Sequence, residues 1–221
     1  RGAAVLHMLR DIIGNDNMKA FQKQFLTEYA YGNPETKDLI RVVNETTGRD
    51  MTWFFDQWVL SAGHPQLEVE TYWDSGVLTI KIDQVQSGIK TPEFYRLPMS
   101  IDFYFNNRVV NKSILIDGRN TVHRFNFKKE PVLVRLDPEE VLLLTLNQQK
   151  TVDGLLVQLK RDNVIGRYDA ASELSGYLSY PSVKKMLKRS AFNDKSWFVR
   201  QASINSISAE ISCVPSISKL I

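Results

Sequence analysis

The sequence predicts a multidomain chain of mixed class, helical first, then antiparallel β, then helical again. Three observations predict it. Apolar residues recur at spacings of three and four up to about Ser61, alternate in twos from Gln66 to about Leu146, and return to helical spacing after Asn147. The chain has 221 residues, 43% hydrophobic and 24% charged, which is globular composition with room for more than one core. These breaks place the domains at 1–64, 65–147 and 148–221.

In the first domain, Val5, Leu6, Met8, Leu9, Ile12 and Ile13 crowd one face of a helix that Gly14 can end. Asn15 or Asp16 is expected to cap the next helix, which carries Met18, Phe21, Phe25, Leu26 and Tyr29. Tyr31-Gly32-Asn33-Pro34 reads as a turn. Thr36 is expected to cap a third helix bearing Leu39, Ile40, Val42 and Val43, closed by Gly48. Thr52 opens a short aromatic helix with Trp53, Phe54, Phe55 and Trp58, whose rings are expected to be interdomain core rather than a carbohydrate platform. The apolar pattern is already running at Ala3 with no cap before it, so Arg1 is not expected to be the biological start.

Gly63-His64-Pro65 breaks the helical period. Leu67, Val69 and Thr71, then Leu78, Ile80 and Ile82, then the odd positions from Leu97 to Phe105 alternate as strands do. Asp74-Ser75-Gly76, Asn106-Asn107 and Asp117-Gly118 are expected hairpin turns. Val122–Phe127 and Val132–Leu136 complete six or seven antiparallel strands, predicting a small sandwich or open barrel.

The last third begins with a helix carrying Leu155, Leu156 and Leu159. Asp162 and Asp194, and Ala170 and Ala202, then recur at one period, each Asp ahead of a helix with small residues at its centre. Between them Pro181 opens another helix running to Phe192. Helix pairs at such a period predict an α-solenoid, incomplete because the chain stops at Ile221 in an apolar stretch.

Candidate chemistry is sparse. His7, His64 and His123 lie in different zones and form no metal-binding pair; His7 and His64 are read as structural and His123 as a surface residue. Cys213 is the only cysteine, without a histidine nearby in sequence, and reads as an incidental thiol; the compartment stays open. Asp137, Glu139 and Glu140 are expected to be solvated acids at a strand border. The net charge of +3 is concentrated in residues 147–221, where Lys184, Lys185, Lys188 and Arg189 share one helix. With no aromatic residues among them, they read as a solvated face rather than a nucleic-acid site. No run approaches the length of a membrane span.

The run Arg1-Gly2-Ala3-Ala4-Val5-Leu6-His7-Met8-Leu9 resembles the helix that follows the catalytic tyrosine in the aminopeptidase N family of zinc metallopeptidases, which includes leukotriene hydrolase-like enzymes. Tyr29-Ala30-Tyr31-Gly32-Asn33 with Thr36–Leu39 resembles the family's next helical hairpin. Trp53-Phe54-Phe55-Asp56-Gln57-Trp58-Val59 and Ala62-Gly63-His64-Pro65 resemble the segment leaving its catalytic domain. The resemblance covers residues 1 to about 70. It implies the helical end of a thermolysin-like catalytic domain, then a β-sandwich, then a HEAT-like solenoid. It implies a full-length enzyme that removes N-terminal residues from peptide substrates. Zinc would be held by a His-Glu-x-x-His helix and a later Glu that lie outside this chain, as would the oxyanion tyrosine, two residues before the position of Arg1. No catalytic or metal-binding residue is therefore assigned here, the substrate-binding residues stay open, and the chain alone is expected to be inactive. The alternatives are a noncatalytic scaffold for protein–protein interaction and an independent sandwich-plus-solenoid binding module.

Overall fold

The computed structural model describes residues 2–212, with side chains described to residue 208. Five elements open the chain: α1 (Gly2–Ile13), α2 (Asn15–Glu28), α3 (Thr36–Thr47), α4 (Thr52–Phe55) and a π-helical turn over Asp56–Leu60. Seven strands follow: β1 (Gln66–Asp74), β2 (Val77–Gln84), β3 (Leu97–Tyr104), β4 (Val109–Ile116), β5 (Asn120–Asn126), β6 (Leu133–Leu136) and β7 (Thr145–Gln148). Then come α5 (Val152–Arg161), α6 (Val164–Glu173), a 3-10 turn over Leu174–Tyr177, α7 (Pro181–Asn193) and α8 (Trp197–Ser212). The chain divides into two compact units. Unit 1 is Arg1–Met99, Ser113–Phe127 and Glu140–Gln148; unit 2 is Ser100–Lys112, Lys128–Glu139 and Gln149–Ile221.

Unit 1 holds the first helices and a four-stranded sheet of order β5-β2-β1-β7. Val5, Met8, Leu9 and Ile13 are the buried stripe of α1, at the spacing that brings side chains to one face. Gly14 both ends α1 and begins α2, with a φ of 85° that favours glycine; neither Asn15 nor Asp16 caps that helix. Leu26 is exposed, so the buried stripe of α2 is only Met18 and Phe21. Glu35, not Thr36, precedes α3, and its N–H donates to the Asp38 carboxylate at 2.8 Å. Gly48 closes α3 in the left-handed region, as its position predicts.

In the sheet, Ser75 and Gly76 both have positive φ, the geometry a two-residue hairpin turn requires, and fix the β1–β2 register that pairs Asp74 with Val77. Leu67 and Val69 on β1, with Leu78, Ile80 and Ile82 on β2, are buried. β7 pairs with β1 in parallel, so the sheet is not wholly antiparallel. The side-chain alternation of a strand is the same for either direction, so the sequence carries no sign of this. Asp117-Gly118 is not a hairpin turn either, because β4 and β5 lie in different sheets.

Unit 2 holds most of the second sheet, of order β4-β3-β6, and the later helices. Ile101–Tyr104 pair antiparallel with Leu133–Leu136. Thr151 and Asn163 cap α5 and α6, each accepting from the backbone N–H three residues on. Pro181 sits in the first turn of α7, where its missing N–H costs nothing. The helical core gathers Leu155, Leu159, Leu174, Val183, Leu187 and Val199 with Ala170, Ala171 and Ala202. Those small residues, with Ser203, lie in the core, and the Ser206 hydroxyl donates to the Ala171 carbonyl at 2.8 Å.

Candidate functional site

Two groups of side chains organise the chain, one in each unit. In unit 1 it is the aromatic segment. Phe54 and Phe55 are buried and pack edge-on at 5.5 Å, and Trp58 lies 5.3 Å from the ring of Tyr95, which is wholly buried. The π-helical turn widens the backbone at this point and puts Gln57 inside. Its amide donates to the Arg96 carbonyl and accepts the Arg96 N–H, both at 2.9 Å. Arg96 in turn lays its guanidinium 5.1 Å from the centre of the Trp53 ring.

The same chemistry recurs beside it. Gln84 accepts the Tyr95 N–H at 2.9 Å and donates to the Tyr95 carbonyl at 2.8 Å. Gln86 donates to Gln84 and to the Glu93 carbonyl, and accepts the Gln66 N–H. The Tyr95 hydroxyl donates to the Ala62 carbonyl at 3.0 Å. Three buried neutral amides thus satisfy the backbone of a loop that has no regular partner. Beyond them, an apolar groove of about 430 Å³ runs between α1 and the aromatic segment, lined by Val5, Leu6, Leu9, Leu39, Phe55 and Val59 among others.

In unit 2 the organising group is ionic. Arg135 on β6 and Asp162, at the end of α5, form a buried ion pair, and the Tyr104 hydroxyl donates to the same Asp162 at 2.9 Å. Burial comes first, and the facing Asp162 carboxylate second, in pushing the Tyr104 hydroxyl well above the ordinary tyrosine range. Gly166 makes the pair possible, because a Cβ there would collide with both the Arg135 guanidinium and the Asp162 carboxyl.

The pattern then repeats. Arg167 grips Asp194 with two bonds of 2.9 Å and sends its third nitrogen to the Asp162 carbonyl at 2.9 Å. Each aspartate lies 27 residues after the arginine that holds it. Arg200 donates to the Asp194 carbonyl at 2.8 Å, as Arg167 does to Asp162. Burial alone would raise the Asp194 pKa, but the bonds from Arg167 and the Ser196 N–H outweigh it and hold the carboxyl below its ordinary value.

The residues singled out in the sequence are scattered rather than convergent. His7 is exposed and bonds Arg10 at 2.8 Å; His64 bonds the Thr145 hydroxyl at 3.1 Å. His123 is half-buried rather than on the surface, and its Nε2 is sealed without a partner. Asp137 is buried, not solvated, whereas Glu139 and Glu140 are exposed. Cys213 lies outside the described residues. Among the described residues no group of three or more His, Cys, Asp or Glu is placed to hold a metal ion, so they do not fit a zinc centre. Nor is any helix among them long and apolar enough to cross a membrane. The residues that sequence reasoning missed are Gln57, Gln84, Gln86, Tyr95, Tyr104, Arg135 and Arg167. Only Arg135 left a sign, a charge inside the apolar run Val132–Leu136.

Comparison with known proteins finds this chain similar to parts of several peptidases. Residues 1–58, from α1 into the π-helical turn, match the family model for the Peptidase family M1 domain. The chain is 32% identical over 69 residues to tricorn protease-interacting factor F2 of Thermoplasma volcanium, which is 31% of this chain and 9% of that protein. It is 22% identical over 213 residues to leucyl aminopeptidase of Saccharolobus solfataricus, covering 96% of this chain and 26% of the relative. Its fold follows the crystal structure of Legionella pneumophila aminopeptidase A in complex with aspartic acid, with a TM-score of 0.76 at 17% identity over 90% of this chain and 25% of that one. The chain thus spans about a quarter or less of the length of these proteins. More particularly, it is a relative of the M1 aminopeptidases, and the resemblance read from Arg1–Leu9 and Trp53–Val59 is borne out.

Proposed function

We propose that this chain is the rear part of a zinc-dependent aminopeptidase that hydrolyses N-terminal residues from peptides. The observation that carries the reading is the M1 domain match over residues 1–58, ending in the aromatic segment at the π-helical turn. In this reading residues 1–64 are the helical end of the catalytic domain, 65–147 a β-sandwich domain and 148–221 the start of a HEAT-like array. The two sheets support the second assignment. The repeated arginine–aspartate rungs support the third. Zinc, its ligands, the general base and the oxyanion tyrosine belong to other parts of the full protein, with which this chain would pack. The peptide substrates are likewise those of the full protein, and this chain contributes scaffold.

Two measurements test the reading. The purified chain should show neither stoichiometric zinc by elemental analysis nor turnover of aminoacyl p-nitroanilides. Turnover with bound zinc would overturn the assignment of the chemistry elsewhere. The reading frame upstream of Arg1 should encode a tyrosine two residues before it and a His-Glu-x-x-His motif with a later Glu further up. An open frame with those residues replaced would make the protein a noncatalytic scaffold.

A further inference from the structure

The sequence between Glu173 and Glu210 holds six cations, Lys184, Lys185, Lys188, Arg189, Lys195 and Arg200, and a single acid, Asp194. That acid is consumed: Arg167 neutralises it through two bonds. Lys185, Lys188, Arg189 and Lys195 are exposed and form no ion pair among the described residues. On α7, positions 185, 188, 189 and 192 fall on one face, at helical spacings of three and four. Phe192 stands at the end of that face and is 83% exposed. Trp197 begins α8 just across the connection and is 67% exposed. No aromatic residue lies between Lys184 and Arg189 in the sequence, but these two follow within eight residues, one at the end of α7 and one at the start of α8.

We propose that the tip of the α7–α8 hairpin is a docking surface for an anionic lipid bilayer. Four exposed cations match the negative charge of the headgroups, and each contributes separately near such a surface. Phe192 and Trp197 supply rings that gain by leaving water for the headgroup boundary, where amphipathic aromatic side chains settle. The surface is one exposed face of α7 with the turn that follows it, not a groove. A single strand of nucleic acid needs a channel that tracks its backbone and rings on which successive bases stack; a flat bilayer needs only exposed cations and rings. The association would be peripheral and reversible, and it is independent of the aminopeptidase reading.

The test is cosedimentation of the full purified chain with vesicles of phosphatidylcholine alone and vesicles in which one third of the lipid is phosphatidylserine. Binding should require phosphatidylserine and weaken steeply with salt. Replacing one of Lys185, Lys188, Arg189 or Lys195 with Ala should lower the partition coefficient about fivefold, and replacing all four about a hundredfold or more. Trp fluorescence should shift to the blue on binding, and Trp197→Phe should abolish that shift while Trp53, Trp58 and Trp73 remain. These residues are exposed, so circular dichroism should show the variants folded. Equal binding to phosphatidylcholine would overturn the proposal. So would phosphatidylserine binding that the four-Ala variant retains. Tighter binding to duplex DNA or a polyglutamate peptide, indifferent to Phe192→Ser and Trp197→Ser, would replace the lipid with a soluble polyanion.

Discussion

Unit 1 and unit 2 secure their irregular backbone with opposite chemistry. In unit 1 the loop around Tyr95 is held by Gln57, Gln84 and Gln86, neutral groups that donate and accept at once. In unit 2 the ends of helices α5 and α7 are held by Arg135 on Asp162 and by Arg167 on Asp194. A neutral amide gives up little on leaving water if both its ends are bonded. A buried ion pair gives up much more, and recovers it only with near-ideal geometry and further bonds. The difference teaches where each unit is vulnerable. The Tyr95 loop of unit 1 should respond little to pH and salt, while unit 2 should depend on the protonation of a few acids and fail sharply when one partner of a pair is lost.

The largest expected effect is at the buried pair. Arg135→Ala leaves Asp162 with the Tyr104 hydroxyl but without its counter-charge, and removing one partner of a buried pair costs about 3–5 kcal/mol. Hydrogen exchange read by mass spectrometry should show the loss in α5 and α6, with the Tyr95 loop of unit 1 unchanged. Gly166→Ala should open the same region without touching either charge, because its methyl group would overlap both partners. If Arg135→Ala loosens both units equally, the contrast between them fails.

How much of this was legible follows the same division. The two changes of hydrophobic period, the aromatic segment and the helix ends at Gly48 and Pro181 depend on local sequence, and local sequence displays them. The echo of Asp162 in Asp194 was legible as spacing, and its physical basis is the rung each makes with an arginine 27 residues earlier. The glutamine clamps were not legible: Gln57 meets Arg96 across 39 residues, and no local pattern marks a glutamine as buried. The parallel β1–β7 pair joins strands from opposite ends of the β region, which alternation alone cannot orient. The M1 resemblance was legible because its residues lie in one continuous stretch, and the solvated face of Lys185, Lys188 and Arg189 was legible because it lies on one helix.

The intermediate effect belongs to unit 1. Gln57→Ala strips the Arg96 N–H and carbonyl of their partners, and buried groups left unsatisfied cost about 1–3 kcal/mol. Gln57→Glu sharpens the comparison. A carboxylate can still accept the Arg96 N–H but cannot donate to its carbonyl, so this variant should make unit 1 acid-sensitive in reverse, gaining stability as the side chain is protonated and becomes a donor. Denaturant midpoints followed through Trp58 should show the wild type flat between pH 5 and 8, about the range over which ordinary carboxylates stay charged. A Gln57→Ala variant as stable as wild type would mean that water replaces the amide and that the clamp is not what holds the loop.

The smallest effect is the acid response of the second rung. The folded-state pKa of Asp194 lies below its ordinary value of 3.8, so the folded protein holds fewer protons than the unfolded chain around that value. The stabilisation is therefore complete above about pH 5, begins to fall as pH drops toward 3.8, and is gone once pH passes below the lowered folded value. The rung is bidentate but only partly shielded from water, so about 1 kcal/mol is expected, the upper end for such pairs. Exchange protection at the start of α8 should decline on acidification before that of the Tyr95 loop. Asp194→Asn should lower protection there at neutral pH and flatten the decline. If wild type and Asp194→Asn lose protection in parallel across the acid range, Asp194 is not the titrating group, and the acid sensitivity of unit 2 lies at another carboxylate.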